Sequence, residues 1–524
     1  MFTNIQINGN ILDFQTANLN VINKKQSGLD LIYNQIILTP NYINVGNLSS
    51  VYNKEIILWN ANYNSVFLTN ISVDNLSNEN LSGFSSGEIY TNTIKKYDLT
   101  VGVDGDSDIN TIFHFNFVNE ELTTDLNIIG SRISTFDYDI NWNSSNYPVE
   151  SYNHYNEIIT THSGQEQRVN YSEDTRLNIQ YYYTLSDNER IKAENQIYSS
   201  GASKIQIPLH HQKTKLLSEI NTGSYQAEFI NIYSQFQKNS NVIIKENGKK
   251  DVLKILDITD NIVTFESQIT NNYSTNAIIY PLALVYLNNN IAFNYKTNNV
   301  TNFLLTFDIV DSELYNITYN QDDYEIYDNL PLILRKETIK IDITKTFERN
   351  FEDVDFQIGF RSRFIKDKTP SIIFNHNISL FGKEEIAKTK ALFNNMKGRF
   401  NEFYINSTSD DLILSESIGS LETSIKIEND GQLNFNNNVI KSIIRIELKN
   451  GNSYIRKVLN YIENTDNKIS LVLDSNLGLD IEKNEVANIQ YLSNARFNND
   501  TLTINHITDE YAEISIDVKI LRNP

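Results

Sequence analysis

The feature that most constrains this chain is a repetition inside it. Tyr183–Leu209 and Ile378–Ile405 each run from an apolar strand pattern through a charged helical stretch to a second apolar strand. Ile191 falls on Ile386 at an offset of 195, with Ile197-Tyr198 on Leu392-Phe393 and Lys204-Ile205 on Arg399-Phe400. Farther on, IIKENGKKDVLKIL (Ile243 to Leu256) falls on IELKNGNSYIRKVL (Ile446 to Leu459), with Gly248 on Gly451. Tyr286-Leu287 then matches Tyr491-Leu492, and LTFDIV (Leu305 to Val310) matches ISIDVK (Ile514 to Lys519), where the offset has drifted to 209. A match kept in order over roughly 130 residues marks a duplicated module. Such a module suits an assembly protein that meets a symmetric partner better than it suits a single active site.

Within and around the copies, apolar residues alternate in runs bounded by Asn, Asp, Ser and Gly. EIILWNA (Glu55 to Ala61), SVFLTNISV (Ser65 to Val73), TIFHFNFV (Thr111 to Val118) and LNIQYYYTL (Leu177 to Leu185) are examples. Period two puts one set of side chains on a buried face, so these runs predict strands, in a sandwich or barrel. Two segments break the pattern. SDNERIKAENQIYSS (Ser186 to Ser200) opens on a Ser suited to an N-cap and has acidic residues in its first turn. GKEEIAKTKALFNNMK (Gly382 to Lys397) sets Ile386, Ala387, Ala391, Leu392 and Met396 on one helical face. The expected fold is mainly β: an all-β domain over residues 1–150, then two homologous β-rich modules over 151–325 and 326–524, each with one helix. DSELYNITYNQDDYEIYDNLPLILR (Asp311 to Arg335) is the expected linker between the copies.

Composition narrows the function classes. At 524 residues, three domains fit, and 40% hydrophobic with 11% aromatic content supplies packed cores. A net charge of −21 repels the phosphate backbone, so neither non-specific nor specific nucleic-acid binding is expected. The one basic cluster, KENGKK (Lys245 to Lys250), reads as a solvated hairpin tip. With no cysteine, there is no disulfide, thiolate zinc site or cysteine nucleophile. The start, MFTNIQINGNILDF, has no basic flank and no unbroken apolar run, so no signal peptide is expected, and no apolar run is long enough for a membrane span.

No catalytic, cofactor or metal residue is assigned from the sequence. DGDSD (Asp104 to Asp108) has the alternate carboxylates of a calcium loop, but the position eleven residues after Asp104 is Phe115, so a hairpin turn is expected. His210-His211, if on a strand, point to opposite faces, and His114, His154, His162, His376 and His506 lack ligand spacing. Paired carboxylates for glycoside cleavage exist among any 65 acidic residues, but there are only two tryptophans to stack on sugar: Trp59, read as core, and Trp142, in an Asn-rich loop. No G-x-S-x-G, Walker A or G-x-G-x-x-G occurs. GQEQR (Gly164 to Arg168) is the sharpest short motif, and its Glu and Arg read as a cross-strand ion pair. It has no clear match in the second copy, where ERNFEDVDFQIGFRSRF (Glu348 to Phe364) stands.

GQEQR, the aromatic strand IQYYYTL, the helix and KIQIPLHHQKTKLL (Lys204 to Leu217) together resemble a segment of tail-tip proteins of long-tailed bacteriophages. The second copy's KGRFNEFYINSTSDDLIL (Lys397 to Leu414), with Asp411-Leu412, resembles a later segment of the same family. WNA (Trp59 to Ala61), LTNISV (Leu68 to Val73), YDLTVGVDG (Tyr97 to Gly105) and GSRI (Gly130 to Ile133) are similar to the immunoglobulin-like sandwich that precedes them there. His210 stands where the family often has an aromatic, and Phe403-Tyr404 where it has tryptophan. The resemblance implies a non-enzymatic virion protein at the distal end of the tail. Its expected form is a homo-oligomeric ring, trimeric in preference to hexameric, contacting tail tube, hub and fibre, with no cofactor. A host-glycan-binding tail component or adhesin is the alternative.

Overall fold

The computed structural model describes residues 35–48, 51–102, 108–118, 122–143, 145–161, 165–172, 174–200, 204–231, 236–288, 290–310, 317, 319–333, 343–349, 351–365, 370–435 and 441–521. The chain is mainly β with two α-helices among these residues, and it divides into two compact units, Met1–Ile133 and Ser134–Pro524.

The first unit is a two-sheet sandwich of immunoglobulin-like type. Its strands are β1 (Ile36–Thr39), β2 (Tyr42–Leu48), β3 (Tyr52–Asn60), β4 (Val66–Asp74), β5 (Glu79–Ser82), β6 (Gly87–Ile89), β7 (Ile94–Val101), β8 (Asp108–Phe117) and β9 (Thr123–Arg132). One sheet is ordered β1-β3-β7-β5 and the other β2-β9-β8-β4-β6, with β2 parallel to β9. Alternation drives the packing: Ile56, Leu58, Tyr97 and Leu99 face Leu68, Phe113, Phe115 and Leu126 across the core. Trp59 follows the same alternation outward. It is half-buried, and its indole N–H donates to Asn92 Oδ1 at 3.1 Å, so it is not the core residue that its apolar strand suggested. Asp108 opens β8 and Phe115 is buried in the core; the rest of DGDSD lies outside the described residues. The unit ends at Ile133, short of residue 150, because Phe136 is fully buried in the core of the second unit.

The second unit holds both repeats. The first comprises β10 (Val149–Asn153), β11 (Asn156–Thr160), β12 (Glu166–Asn170), β13 (Arg176–Ser186), α1 (Asp187–Ser200), β14 (Ile205–Pro208), β15 (Thr214–Lys215), β16 (Gln226–Glu228), β17 (Asn241–Glu246), β18 (Lys249–Thr259), β19 (Ile262–Phe265), β20 (Ile278–Leu287), β21 (Phe293–Tyr295) and β22 (Val300–Ile309). The second follows with β23 (Glu325–Tyr327), β24 (Leu330–Ile333), β25 (Thr344–Glu348), β26 (Phe351–Val354), β27 (Ser362–Ile365), β28 (Ser371–Phe381), α2 (Gly382–Met396), β29 (Phe403–Asn406), β30 (Ser424–Glu428), β31 (Ile443–Leu448), β32 (Ser453–Glu463), β33 (Lys468–Leu473), β34 (Val486–Phe497), β35 (Thr501–His506) and β36 (Tyr511–Ile520).

Strand pairing repeats with the sequence. β13 pairs β22 and β28 pairs β36; β14 pairs β20 and β29 pairs β34; β17 lies between β18 and β20, as β31 lies between β32 and β34. The strand-to-helix joint repeats too. Asp187 and Gly382 both have positive φ (45° and 79°), and their N–H groups donate to Asn299 O at 2.9 Å and Glu510 O at 2.7 Å. Register corrects three of the matches read from sequence. Ile205 and Phe403 occupy equivalent places, since Ile205 pairs with Val285 and Phe403 with Ala495. Tyr286 faces Asp308 where Arg496 faces Lys519, so the counterpart of Tyr286 is Arg496 rather than Tyr491. Leu305 faces Tyr181 where Ile516 faces His376, two residues on from Ile514. This last slide, of two residues, keeps the apolar alternation intact, so the pattern alone cannot register that strand.

One hydrophobic core runs through both repeats, with a satellite core under β16–β20 and another under β30–β34. α2 buries Ile386, Ala387, Ala391, Leu392 and Met396, the expected face, together with Lys390 and Phe393. Part of the expected linker is instead structural: β24 pairs in parallel with β29, and Tyr324 Oη donates to Lys388 O at 3.1 Å. The KENGKK hairpin forms, but Lys245 donates to Asp137 O at 2.8 Å and Lys250 pairs with Asp137 at 3.3 Å, which ties it to the lead-in segment.

Candidate functional site: the seam between the repeats

β10 is the strand that joins the repeats. It pairs on one edge with β13 of its own repeat and on the other with β35 of the second, so the described strands of both, apart from the hairpins β11–β12 and β26–β27, form one hydrogen-bonded network. The hairpin β11–β12 that follows lies against the second repeat. Its GQEQR carboxylate and guanidinium do not pair across the strand, where their neighbours are Thr160 and Ile158. Glu166 instead accepts from Arg496 Nε at 2.7 Å, Arg496 Nη2 at 2.9 Å and Lys519 Nζ at 2.8 Å. Arg168 pairs with Glu402 and donates to Phe400 O at 2.7 Å. Gly164 lies outside the described residues.

The KGRF segment completes the clasp. Lys397 and Gly398 turn in the left-handed region (φ 51° and 62°), and a Cβ at Gly398 would lie 2.8 Å from Asp500 Oδ1. That close approach lets Asp500 accept from Arg399 Nε at 2.8 Å and from the Arg399 and Asn156 N–H groups at 3.0 and 3.3 Å. Burial alone would raise the Glu166 carboxyl, but hydrogen bonds from Arg496 and Lys519 hold it at about 2. The same balance, with Arg399 and Asn156 as donors, lowers Asp500.

Beneath the clasp is a buried polar cluster drawn from both repeats. Glu150 on β10 lies 2.5 Å from Lys390 Nζ on α2, 3.0 Å from His506 Nε2 and 3.5 Å from His211 Nε2, and all four side chains are buried. Tyr152 Oη donates to Glu150 Oε1 at 2.9 Å, and the rings of His211 and His506 stack at 4.3 Å. Trp142 Nε1 donates to the His506 and Ile507 carbonyls at 3.0 and 2.9 Å. Burial pushes His506 down to about 3 and lowers His211, so both rings are neutral near pH 7. Burial also opposes ionisation of Glu150, but Lys390, then His211, overcome it and hold the carboxyl well below the usual range.

Sequence spacing gave no sign of this cluster. His210–Gln212 form a 3-10 turn rather than a strand, which frees His211 to face His506. Glu150, His211 and His506 bring donor atoms within 4.8 Å of one another, a spacing that a divalent ion accepts. The Lys390 ammonium already occupies that space as the counter-charge, and the adjoining cavity is about 10 Å³, too small for a substrate. The arrangement ties residues of both repeats to one buried carboxylate.

A larger cavity of about 840 Å³ lies in the second repeat between β28, β36 and α2. Its origin is visible by comparison within the chain. Tyr181, Tyr183, Phe303 and Phe307 fill the first repeat, and the register places His376, Ile378, Ile514 and Val518 at the equivalent positions.

No protein-family model matches the chain, and no curated protein matches it. Among solved structures it is similar to the secreted serine protease VesC from Vibrio cholerae, at 9% identity and a TM-score of 0.18, over 53% of this chain. The match spans 52% of that protein's length, and a TM-score of this size carries no argument about fold or activity.

Proposed function

We propose that this chain is a structural, non-enzymatic component of a bacteriophage tail tip or baseplate, assembling as a ring that links the tail tube to the central hub or fibre. The observation that carries the reading is the seam: two homologous repeats joined edge to edge by β10 through one continuous sheet. Three copies would present six similar repeats to a sixfold tube while keeping threefold symmetry toward a hub. A net charge of −21 suits a conduit that must not retain DNA. Antibodies against the chain, applied to tailed particles made from the genome that encodes it, should label the distal end of the tail. Particles that lack the chain, or carry it only in the capsid, would sink the reading.

One observation favours a second reading, a glycan-binding role for the first unit. Tyr63 and Tyr90 are each 64% exposed on loops held together by the Thr91 hydroxyl, which donates to Asn62 O. Exposed rings on two joined loops offer a surface for stacking on a sugar. Binding to host polysaccharide that is lost in Tyr63→Ala and Tyr90→Ala would select this reading.

A further inference from the structure

The seam made by β10–β12 has an unused twin. Val149 pairs with Gln180 in the first repeat and Thr344 with Asn375 in the second, both displaced by 195. The following hairpins repeat as well: Asn156 pairs with Asn170, and Phe351 with Ile365, again 195 along. GQEQR therefore has its counterpart in Gly359–Arg363, with Arg361 at the place of Glu166. β10, however, is paired on both edges, whereas β25 pairs only with β28 among the described strands. On the other side of the molecule, β21 is the counterpart of β35: Phe293 faces Phe303 where Ile504 faces Ile514. Among the described strands, β21 likewise pairs on one edge only, with β22.

We infer that a second copy of this chain supplies the missing partner, with β25 of one copy adding to the open edge of β21 in the next. By the register of β10 on β35, Thr344 would lie opposite Asn294 and Lys345 opposite Phe293. Three further observations point to the same occupant. First, the arm has the surface of a half-made interface. Phe347 is 57% exposed where its counterpart Tyr152 is 1%, and Phe356, Ile358 and Phe360 at the hairpin tip are all at least 79% exposed. Second, the receiving surface is open where the in-chain one is covered: Tyr286, with the Lys204 ammonium 6.0 Å from its ring, is 43% exposed, against 3% for its counterpart Arg496.

Third, the charges are exchanged on both sides together. Glu166 docks on Arg496 and Lys519, whose counterparts are Tyr286 and Asp308. Arg361 pairs with Asp353 of its own hairpin at 3.0 Å and is 63% exposed, so its guanidinium can also meet a ring face and a carboxylate, and it would be repelled by the Arg496–Lys519 pair. The arm of the second repeat is thus directed to a first repeat and away from another second repeat. The contact is head-to-tail, so it generates either a closed ring or a filament. This inference rests on the duplicated seam and stands whether or not the chain belongs to a tail.

The absence of cysteine makes the test direct. Full-length Thr344→Cys and Asn294→Cys variants, mixed at about 10 µM, where a micromolar interface is substantially formed, should give a covalent dimer on oxidation. Each variant alone should give much less. Native mass measurement of the wild-type chain should show an oligomer, closed or open-ended. Arg361→Glu should weaken assembly at least 10-fold without changing the far-UV spectrum or the melting temperature, and Arg361→Glu with Asp308→Lys should restore it. A monomeric wild-type chain at that concentration, or crosslinking no better in the mixture than in the single variants, would overturn the inference. So would assembly that is indifferent to Arg361→Glu. Labelling at the tail tip is independent of all these outcomes, so the two proposals fail separately.

Discussion

At the scale of single residues, the seam is governed by what burial does to charge. Glu150 is ionised because Lys390 lies against it, and His211 and His506 are neutral because there is no room to hydrate an imidazolium. The consequence for stability has a definite sign. In the unfolded chain an imidazole takes up a proton as pH falls through about 6.5, while folded His506 resists until about 3. His210, held at about 3 by burial, and His154, at about 4, behave likewise. The unfolded state therefore binds more protons across this window, so stability is complete above pH 6.5 and falls as pH drops toward 3. Glu166, held at about 2, and Glu150 add losses of the same sign below about 4.5. The urea midpoint of the second unit should be lower at pH 5 than at pH 7, with a shallower dependence in His506→Gln. Equal midpoints at the two pH values would contradict this account of the cluster.

At the scale of elements, the hairpin β11–β12 depends on a few side chains. Removing the carboxylate in Glu166→Ala leaves the Arg496 guanidinium, 3% exposed, without its counter-charge, which costs about 3 kcal/mol. Hydrogen exchange should show β11 and β12 losing protection before β13 does, and unchanged protection would refute the clasp. The elements also show what the sequence made legible. The helix face of α2 and the Gly248 and Gly451 turns were readable because helix periodicity and left-handed glycines are local signals. The twin of GQEQR was hidden because it keeps only its glycine and last arginine, and it reverses the charge at Arg361. Trp59 misled because a half-buried outer face can be as apolar as a core. Glu150, Lys390, His211 and His506 met no recognisable spacing, since four elements from two repeats bring them together.

At the scale of the whole molecule, the two compact units have separate cores, the sandwich core and the core shared by the repeats. Calorimetry should accordingly resolve two transitions, and a chain beginning at Ser134 should reproduce one of them. A single transition that the shorter chain fails to match would argue for one cooperative body. Within the second unit the repeats share both core and sheet, so neither should unfold alone. That sharing also sets a schedule for synthesis. Glu150 meets His506 across 356 residues of chain, so β10 waits for β35 through roughly 20–70 s of translation at typical rates. For that interval the nascent chain carries an unpaired strand edge and a Tyr152 with nothing to cover it. Neighbouring ribosomes on one message hold several such edges side by side, and pairing between two unfinished chains is the misfolding route this topology has to outrun.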